Sequence, residues 1–166
     1  MGHFIHGFVA PFASLQQAAT TLRNAAVVPL DMGFGFMPVT EKMTAEDDKL
    51  AFEGLERLTA RLSGWAREQS ERFPLAYIET EYFGGVGAQA AIVWKQGRIA
   101  LGPEISRTDE LSLRSGKQPA LHERAINRAM RSIDVSRGTE VDEFDALGLG
   151  RNRSDDQWLS ESYRVA

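Results

Sequence analysis

Short runs in the middle of the chain are rich in apolar, aromatic and β-branched residues and are separated by glycine-containing turns. This pattern predicts a β-meander. Residues 84–87 (GGVG) are expected to form the first turn and Gln96-Gly97 the second. Gly102-Pro103 is expected to end the third strand, because proline cannot donate a backbone hydrogen bond. The three predicted strands cover residues 75–83, 88–95 and 98–101.

Apolar residues that recur every three or four positions predict three longer helices. The first opens at Ser14, where S-L-Q-Q has the form of a capping box, and runs to about residue 24. The longest runs from Thr44, the predicted N-cap, to about Arg72, because Pro74 prevents its continuation. The third follows Pro119 and reaches about residue 133.

Shorter segments complete the prediction. We expect strands at residues 4–10 and 33–39, a loop at 106–118, a short helix or irregular segment at 141–147, and a terminal helix that opens at Ser154. Because consecutive strands are joined by tight turns, the sheet should be mainly antiparallel and covered by two to three helices. The predicted fold class is therefore α+β, in one globular domain that covers residues 1–166.

Composition and charge narrow the classes of function. The chain has no cysteine, which excludes disulfides and cysteine-ligated metals. Its net charge is −4, and an acidic total argues against nucleic-acid binding. The charge is uneven: residues 104–138 carry 7 basic and 5 acidic side chains (+2), whereas residues 139–166 carry 3 basic and 7 acidic (−4). No signal peptide or membrane span is evident, so we expect a soluble, cytoplasmic protein without a membrane partner.

No motif in the chain specifies a cofactor. Residues 85–90 match the dinucleotide pattern G-x-G-x-x-A, but strand-forming residues follow where that motif requires a helix, so a hairpin turn is expected. The histidines His3, His6 and His122 show no metal-ligand spacing, and His3 and His6 fall on opposite faces of the first strand. We therefore expect no catalytic motif, no metal site and no cofactor.

Glu79 and Glu81 are the most notable acidic residues. Their spacing along a strand places both carboxylates on one face, together with Tyr77, and Tyr82 follows directly. Such a pair can share a hard cation or divide acid and base roles. It can equally form a solvated sheet face, or an anionic surface that contacts a partner.

A second acidic cluster contains Asp142, Glu143 and Asp145, with Phe144 among them. The segment does not match a calcium-binding loop. It is consistent with a helix that has a charged outer face, or with a contact patch for another protein.

Three separated segments resemble a group of small bacterial proteins proposed as immunity partners of polymorphic or contact-delivered toxins. They are GFVA at residues 7–10, IETEYFGGVGAQAAIVW at 78–94 and DEFDALGLGR at 142–151. The resemblance implies a cytoplasmic protein that binds its cognate toxin stoichiometrically and occludes it. It supplies no catalytic residues.

The working hypothesis is a non-catalytic binding protein of immunity type that acts as a monomer or homodimer. Its alternative is a small enzyme or ligand-binding domain that uses the Glu79 and Glu81 pair in a pocket lined also by Tyr77 and Tyr82. The residues predicted to contact a toxin partner are Tyr77, Glu79, Glu81, Tyr82, Asp142, Glu143 and Asp145.

Overall fold

The computed structural model describes residues 2–165, which form one six-stranded sheet and the helices around it. Every strand pair is antiparallel, and the spatial order is β2-β3-β1-β4-β5-β6. The predicted α+β class is therefore confirmed. The strands are β1 (Gly2–Pro11), β2 (Val28–Pro29), β3 (Phe34–Pro38), β4 (Leu75–Phe83), β5 (Val86–Lys95) and β6 (Arg98–Thr108).

Helices cover both faces of this sheet. They are α1 (Phe12–Ala19), α2 (Glu41–Thr44), α3 (Ala60–Gln69), α4 (Glu110–Ser115), α5 (Ala125–Ser132), α6 (Glu143–Leu147) and α7 (Asp155–Val165). Short 3-10 turns occur at Asp31–Gly33, Leu121–Glu123 and Leu149–Arg151. Among residues 2–165, no helix is long and apolar enough to cross a bilayer.

Alternation along the strands divides the core into two layers. Even-numbered residues of β4, such as Ile78, pack with α5 and with Trp158 of α7. Odd-numbered residues, such as Tyr77, pack with α1 and α3. We call these the α5 face and the α3 face of the sheet. Polar residues at even positions of β4 therefore point toward the α5 face.

The predicted meander forms, and its first turn has two residues. Gly84 and Gly85 have φ of 61° and 84°, and Phe83 pairs directly with Val86. Two consecutive positive φ angles suit a type I′ hairpin turn, for which glycine is preferred. The prediction that Gly102-Pro103 ends the third strand is wrong: β6 continues to Thr108, past a register shift against β5.

The helix predicted over residues 44–72 is also wrong. Only α2 and α3 are helical there, and α3 begins after Thr59, whose side chain accepts the Leu62 N–H at 3.2 Å. Gly54 interrupts the segment with φ +86°. Leu55 and Leu58 remain buried as the pattern requires, but in an irregular segment that folds over the α3 face.

The ends of the other helices differ less from prediction. The α1 helix begins at Phe12, and no side chain caps its first turn, so the capping box predicted at Ser14 does not form. The predicted loop at 106–118 contains the end of β6 and all of α4, whose N-cap Asp109 accepts the Ser112 N–H at 2.7 Å. The helices predicted near residues 119–133 and 141–147 and at the end of the chain are present as α5, α6 and α7.

Candidate binding cleft

A half-open cleft of about 370 Å³ lies on the α5 face, near the turn that joins β4 and β5. Its floor comes from neighbouring strands: His3 on β1, Thr80 and Tyr82 on β4, and Gln89 on β5, with Thr108 at the end of β6. The pairs His3–Tyr82 and Thr80–Gln89 are in register, so antiparallel pairing places these four side chains on one face. Further toward the sheet centre the same face is apolar. The cleft is therefore where the polar end of the sheet meets the core.

Hydrogen bonds fix the floor of the cleft. The Thr80 hydroxyl accepts the Ile5 N–H at 3.1 Å and lies 2.7 Å from Nδ1 of His3. The other ring nitrogen, Nε2 of His3, is buried and makes no hydrogen bond of normal geometry within residues 2–165, although the Asn152 backbone lies close enough to raise the pKa of the ring. One edge of the imidazole is therefore held by β4, and the other is shielded from solvent.

His3 is neutral in its folded environment. Burial lowers the pKa of His3 below its usual value of 6.5, and the nearby positive charge of Arg153 lowers it further. Both effects disfavour the imidazolium ion, one by removing water and one by repulsion. At neutral pH the ring can donate from one nitrogen and accept at the other.

Amides tie the cleft floor to the helices that form its wall. Gln89 accepts the Ile126 N–H at 2.9 Å through Oε1 and donates to the Tyr82 hydroxyl at 3.3 Å. Asn127 accepts the Phe144 N–H at 3.1 Å and donates to Asp142 at 3.1 Å. These bonds satisfy N–H groups in the first turns of α5 and α6, and they fasten α5 to the sheet and α6 to α5.

The remaining wall is supplied by α4 and the segment that follows it. Leu113 of α4 contributes an apolar side chain, and Gln118 and Arg124 contribute polar ones. Oε1 of Gln118 is buried and finds no hydrogen-bond donor within the described part of the chain. Arg124 is half-buried and donates from Nε to the Pro119 carbonyl at 3.3 Å. No carboxylate among residues 2–165 forms a salt bridge with it.

The acidic residue predicted to lead the site, Glu79, lies inside the fold on the α3 face. Its carboxylate accepts the backbone N–H of Glu56 and of Arg57, both at 2.9 Å, and the Tyr77 hydroxyl at 2.7 Å. Burial raises the pKa of Tyr77 well above 10.0, and the Glu79 charge adds to the effect, so the hydroxyl stays protonated and donates. Glu79 therefore secures the irregular segment before α3.

This burial corrects part of the predicted contact surface. Tyr77 and Glu79 are 0% and 5% exposed, and Glu143 is 4% exposed beside Arg131, at 3.3 Å. These three side chains cannot form an open contact face, because the protein itself already occupies their surroundings. The alternative pocket lined by Tyr77, Glu79, Glu81 and Tyr82 is likewise wrong, since Tyr82 lies on the opposite face from the other three.

The other predicted residues are accessible. Tyr82 and Asp142 line the cleft. Glu81 and Asp145 are exposed. Asp142 is also the N-cap of α6 and accepts the Asp145 N–H at 2.8 Å. The structure therefore brings Tyr82 and Asp142 together and leaves Glu81 on the α3 face.

A second polar network, mostly buried, lies on the α3 face, at the free edge of β1. Because β3 pairs with β1 only from Gly7 onward, the His6 N–H needs another acceptor. Asp155 accepts it at 2.7 Å and also lies 2.7 Å from Nδ1 of His6, while Arg57 donates to the same carboxylate at 3.3 Å. This network fastens α7 to the sheet. Nowhere in residues 2–165 do three histidine, aspartate or glutamate side chains cluster as a metal site would require.

Sequence reasoning missed His3, Gln118 and Arg124 as cleft residues. They come from distant parts of the chain, and no local motif joins them. A usable signal was present in Thr80 and Gln89, which are polar at positions where the neighbouring residues on the same sheet face, Ile78 and Ala91, are buried and apolar. No protein-family model, curated protein or solved structure matches this chain.

Proposed function

We propose that this chain is a non-catalytic binding protein and that the cleft on the α5 face is its recognition site. The single observation that carries the proposal is the convergence of polar side chains from distant parts of the chain on one concave cleft. A pocket with apolar walls and a few convergent polar groups is the usual form of a binding site. Within this cleft Arg124 forms no salt bridge with any carboxylate of residues 2–165, so its charge is available to a ligand.

Exposed apolar side chains near the cleft favour a protein as the partner. Leu113, which lines the cleft, is 42% exposed, and Val141, next to the lining residue Asp142, is 64% exposed. A pocket with apolar residues around it is the usual form of a protein-binding site in which one side chain is inserted and the neighbouring contacts exclude water.

The specific form that we propose is neutralisation of a cognate bacterial toxin in the cytoplasm, as the resemblance to immunity-type proteins implies. Tyr82 and Asp142, in two of the segments that carry the resemblance, line the cleft. Tyrosine supplies contact area at low entropic cost, and a carboxylate orients a partner of opposite charge. Occlusion by this surface requires no chemical step.

The test is direct binding to the products of the genes adjacent to its own, measured by calorimetry with purified proteins. Leu113→Trp places a bulky ring at the cleft wall, whereas Leu111→Trp makes the same change on the same helix at a residue that does not line the cleft. We expect Leu113→Trp to weaken binding at least about tenfold and Leu111→Trp to leave it nearly unchanged. Equal affinities for the two variants, or no binding by any neighbouring product, would overturn the proposal.

Stoichiometry separates occlusion from catalysis. If the chain only binds, toxin activity should fall linearly with added protein and reach its minimum near an equimolar ratio. Inactivation of excess toxin by a small fraction of an equivalent would show turnover and contradict a non-catalytic role.

A further inference from the structure

We infer that the cleft binds an α-carboxylate that carries an N–H donor on the adjoining carbon and an apolar side chain, as in the last residue of a protein chain or a free apolar amino acid. This rests on the proposed function in one respect, that the cleft is the binding site. It adds the chemistry of the group that enters.

Arg124 supplies the carboxylate recognition. Its guanidinium is half-buried in the cleft wall, uses Nε on the Pro119 carbonyl, and forms no salt bridge within residues 2–165. The terminal nitrogens are a pair of donors in the fork geometry that matches a carboxylate. By contrast, Arg128 in the next turn of α5 is already paired with Glu104 at 2.9 Å.

Asp142 supplies the acceptor for a ligand nitrogen. Its carboxylate is half-buried and lines the same cleft as Arg124. Both oxygens of Asp142 already accept one bond each, from Asp145 and from Asn127, and each can accept another. An N–H group beside the carboxylate would meet this acceptor side while Arg124 holds the carboxylate.

The charge balance of the cleft favours this combination over a simple anion. Arg124 and Asp142 are the lining residues that are charged at neutral pH, one of each sign. Their charges cancel, so a phosphate or a second carboxylate would gain little net attraction. A ligand that presents a carboxylate at one end and an N–H at the other matches both sides of the cleft.

An apolar side chain completes the ligand. Leu113, Ile126 and Phe144 form the apolar part of the wall. The volume of about 370 Å³ lies at the lower end of the range of ligand pockets, which suits one or two residues rather than a long peptide.

Calorimetry with the full chain tests the inference, using N-acetylated Gly-Gly-Leu as the free acid and as the C-terminal amide. We expect the acid to bind with a millimolar or lower dissociation constant and the amide to bind at least about tenfold more weakly. Arg124→Gln should reduce acid binding by a similar factor, whereas Arg128→Gln should not. Equal binding of acid and amide, or no binding of either the acid or free leucine at millimolar concentration, would overturn the inference.

Free leucine distinguishes the two ligands that carry this chemistry, a free amino acid and the last residue of a protein chain. Its ammonium group is charged, so Asp142→Asn should weaken leucine more than the acetylated peptide, whose nitrogen is neutral. Tighter binding of the peptide than of leucine assigns the site to a protein terminus, and the reverse assigns it to an amino acid. If Leu113→Trp abolishes binding of a neighbouring gene product while neither probe binds, the proposed function stands and this inference fails.

Discussion

At Glu79, a buried carboxylate is held by three donors, two of which are backbone N–H groups of the segment before α3. Burial of an ion is costly unless hydrogen bonds compensate for the lost water. Here the compensation also has a structural consequence, since it specifies where residues 56 and 57 lie on the sheet. Glu81, two residues further along the same strand, is exposed and has no such role.

Glu79→Gln should therefore destabilise the protein, whereas Glu81→Gln should not. We expect the first variant to lower the free energy of unfolding by about 2 kcal/mol. The neutral amide of glutamine accepts weaker hydrogen bonds than the carboxylate from Tyr77 and the two backbone N–H groups, and its NH2 group faces donors from which it cannot accept. The exposed variant should stay within about 0.5 kcal/mol of the wild type. Urea unfolding monitored by tryptophan fluorescence measures both, and similar losses in the two variants would contradict the assigned role.

His3 makes stability depend on pH in a defined direction. Burial and then Arg153 lower its pKa in the folded state, so the unfolded chain binds more protons below about pH 6.5. Stability therefore rises with pH in that region and is lost as pH falls through 6.5 toward the lowered pKa. The Asn152 backbone and then the charge of Asp155 raise the pKa of His3, but they do not reverse the shift.

Comparison of His3→Gln with His122→Gln isolates this effect. His122 has an exposed side chain, 74% accessible, and serves as the matched control. Between pH 8 and pH 5, roughly the range over which histidine titrates, we expect wild type and His122→Gln to lose stability in parallel. His3→Gln should lose less. A His3→Gln curve with the wild-type slope would show that His3 is not the group responsible.

Among the elements, the segment from residue 45 to 59 differs most from what its sequence suggests. Leu55, Leu58 and Leu62 recur at helical spacing and are all buried, so the periodicity is real. The helix is nevertheless restricted to α3, because Glu79 accepts two of the N–H groups and Leu50 pairs with Thr59 as an isolated bridge. Both interactions are with partners that local pattern cannot reveal.

Two glycines in this region give opposite predictions. Gly54 has φ +86° and an added Cβ would lie 2.9 Å from the Ile105 side chain, so Gly54→Ala should cost at least about 1 kcal/mol. Gly64 is exposed within α3 with no atom within 4 Å of an added Cβ, so Gly64→Ala should stabilise by about 0.5–1 kcal/mol. Thermal and urea unfolding measure both. Stabilisation by both substitutions would indicate a continuous helix and contradict this structure.

Other elements were predictable to the extent that local chemistry determines them. The turn at Gly84 and Gly85, the strands on either side and the short helix near residue 143 follow from residue type and spacing. The extension of β6 to Thr108 does not, because pairing with β5 outweighs the proline at position 103. For the cleft, Tyr82 and Asp142 were found through their segments, whereas Arg124 has no local feature that separates it from other surface arginines.

Across the whole molecule, apolar and polar side chains occupy different parts of the sheet. Near the middle of the strands both faces are packed with buried residues from α1, α3, α5 and α7. Beyond Ile78 the even positions of β4 turn polar, and α4, α5 and α6 enclose the cleft there. The rigid part of the fold therefore positions one open, polar-lined end for recognition.

The most direct test is hydrogen–deuterium exchange of the chain with and without a neighbouring gene product that binds it. We expect new amide protection at residues 80–89, 108–127 and 141–144, which border the cleft, and little change at residues 40–42 and 154–159 on the other side of β1. Protection confined to those latter residues, with the cleft segments exchanging as in the free protein, would contradict it.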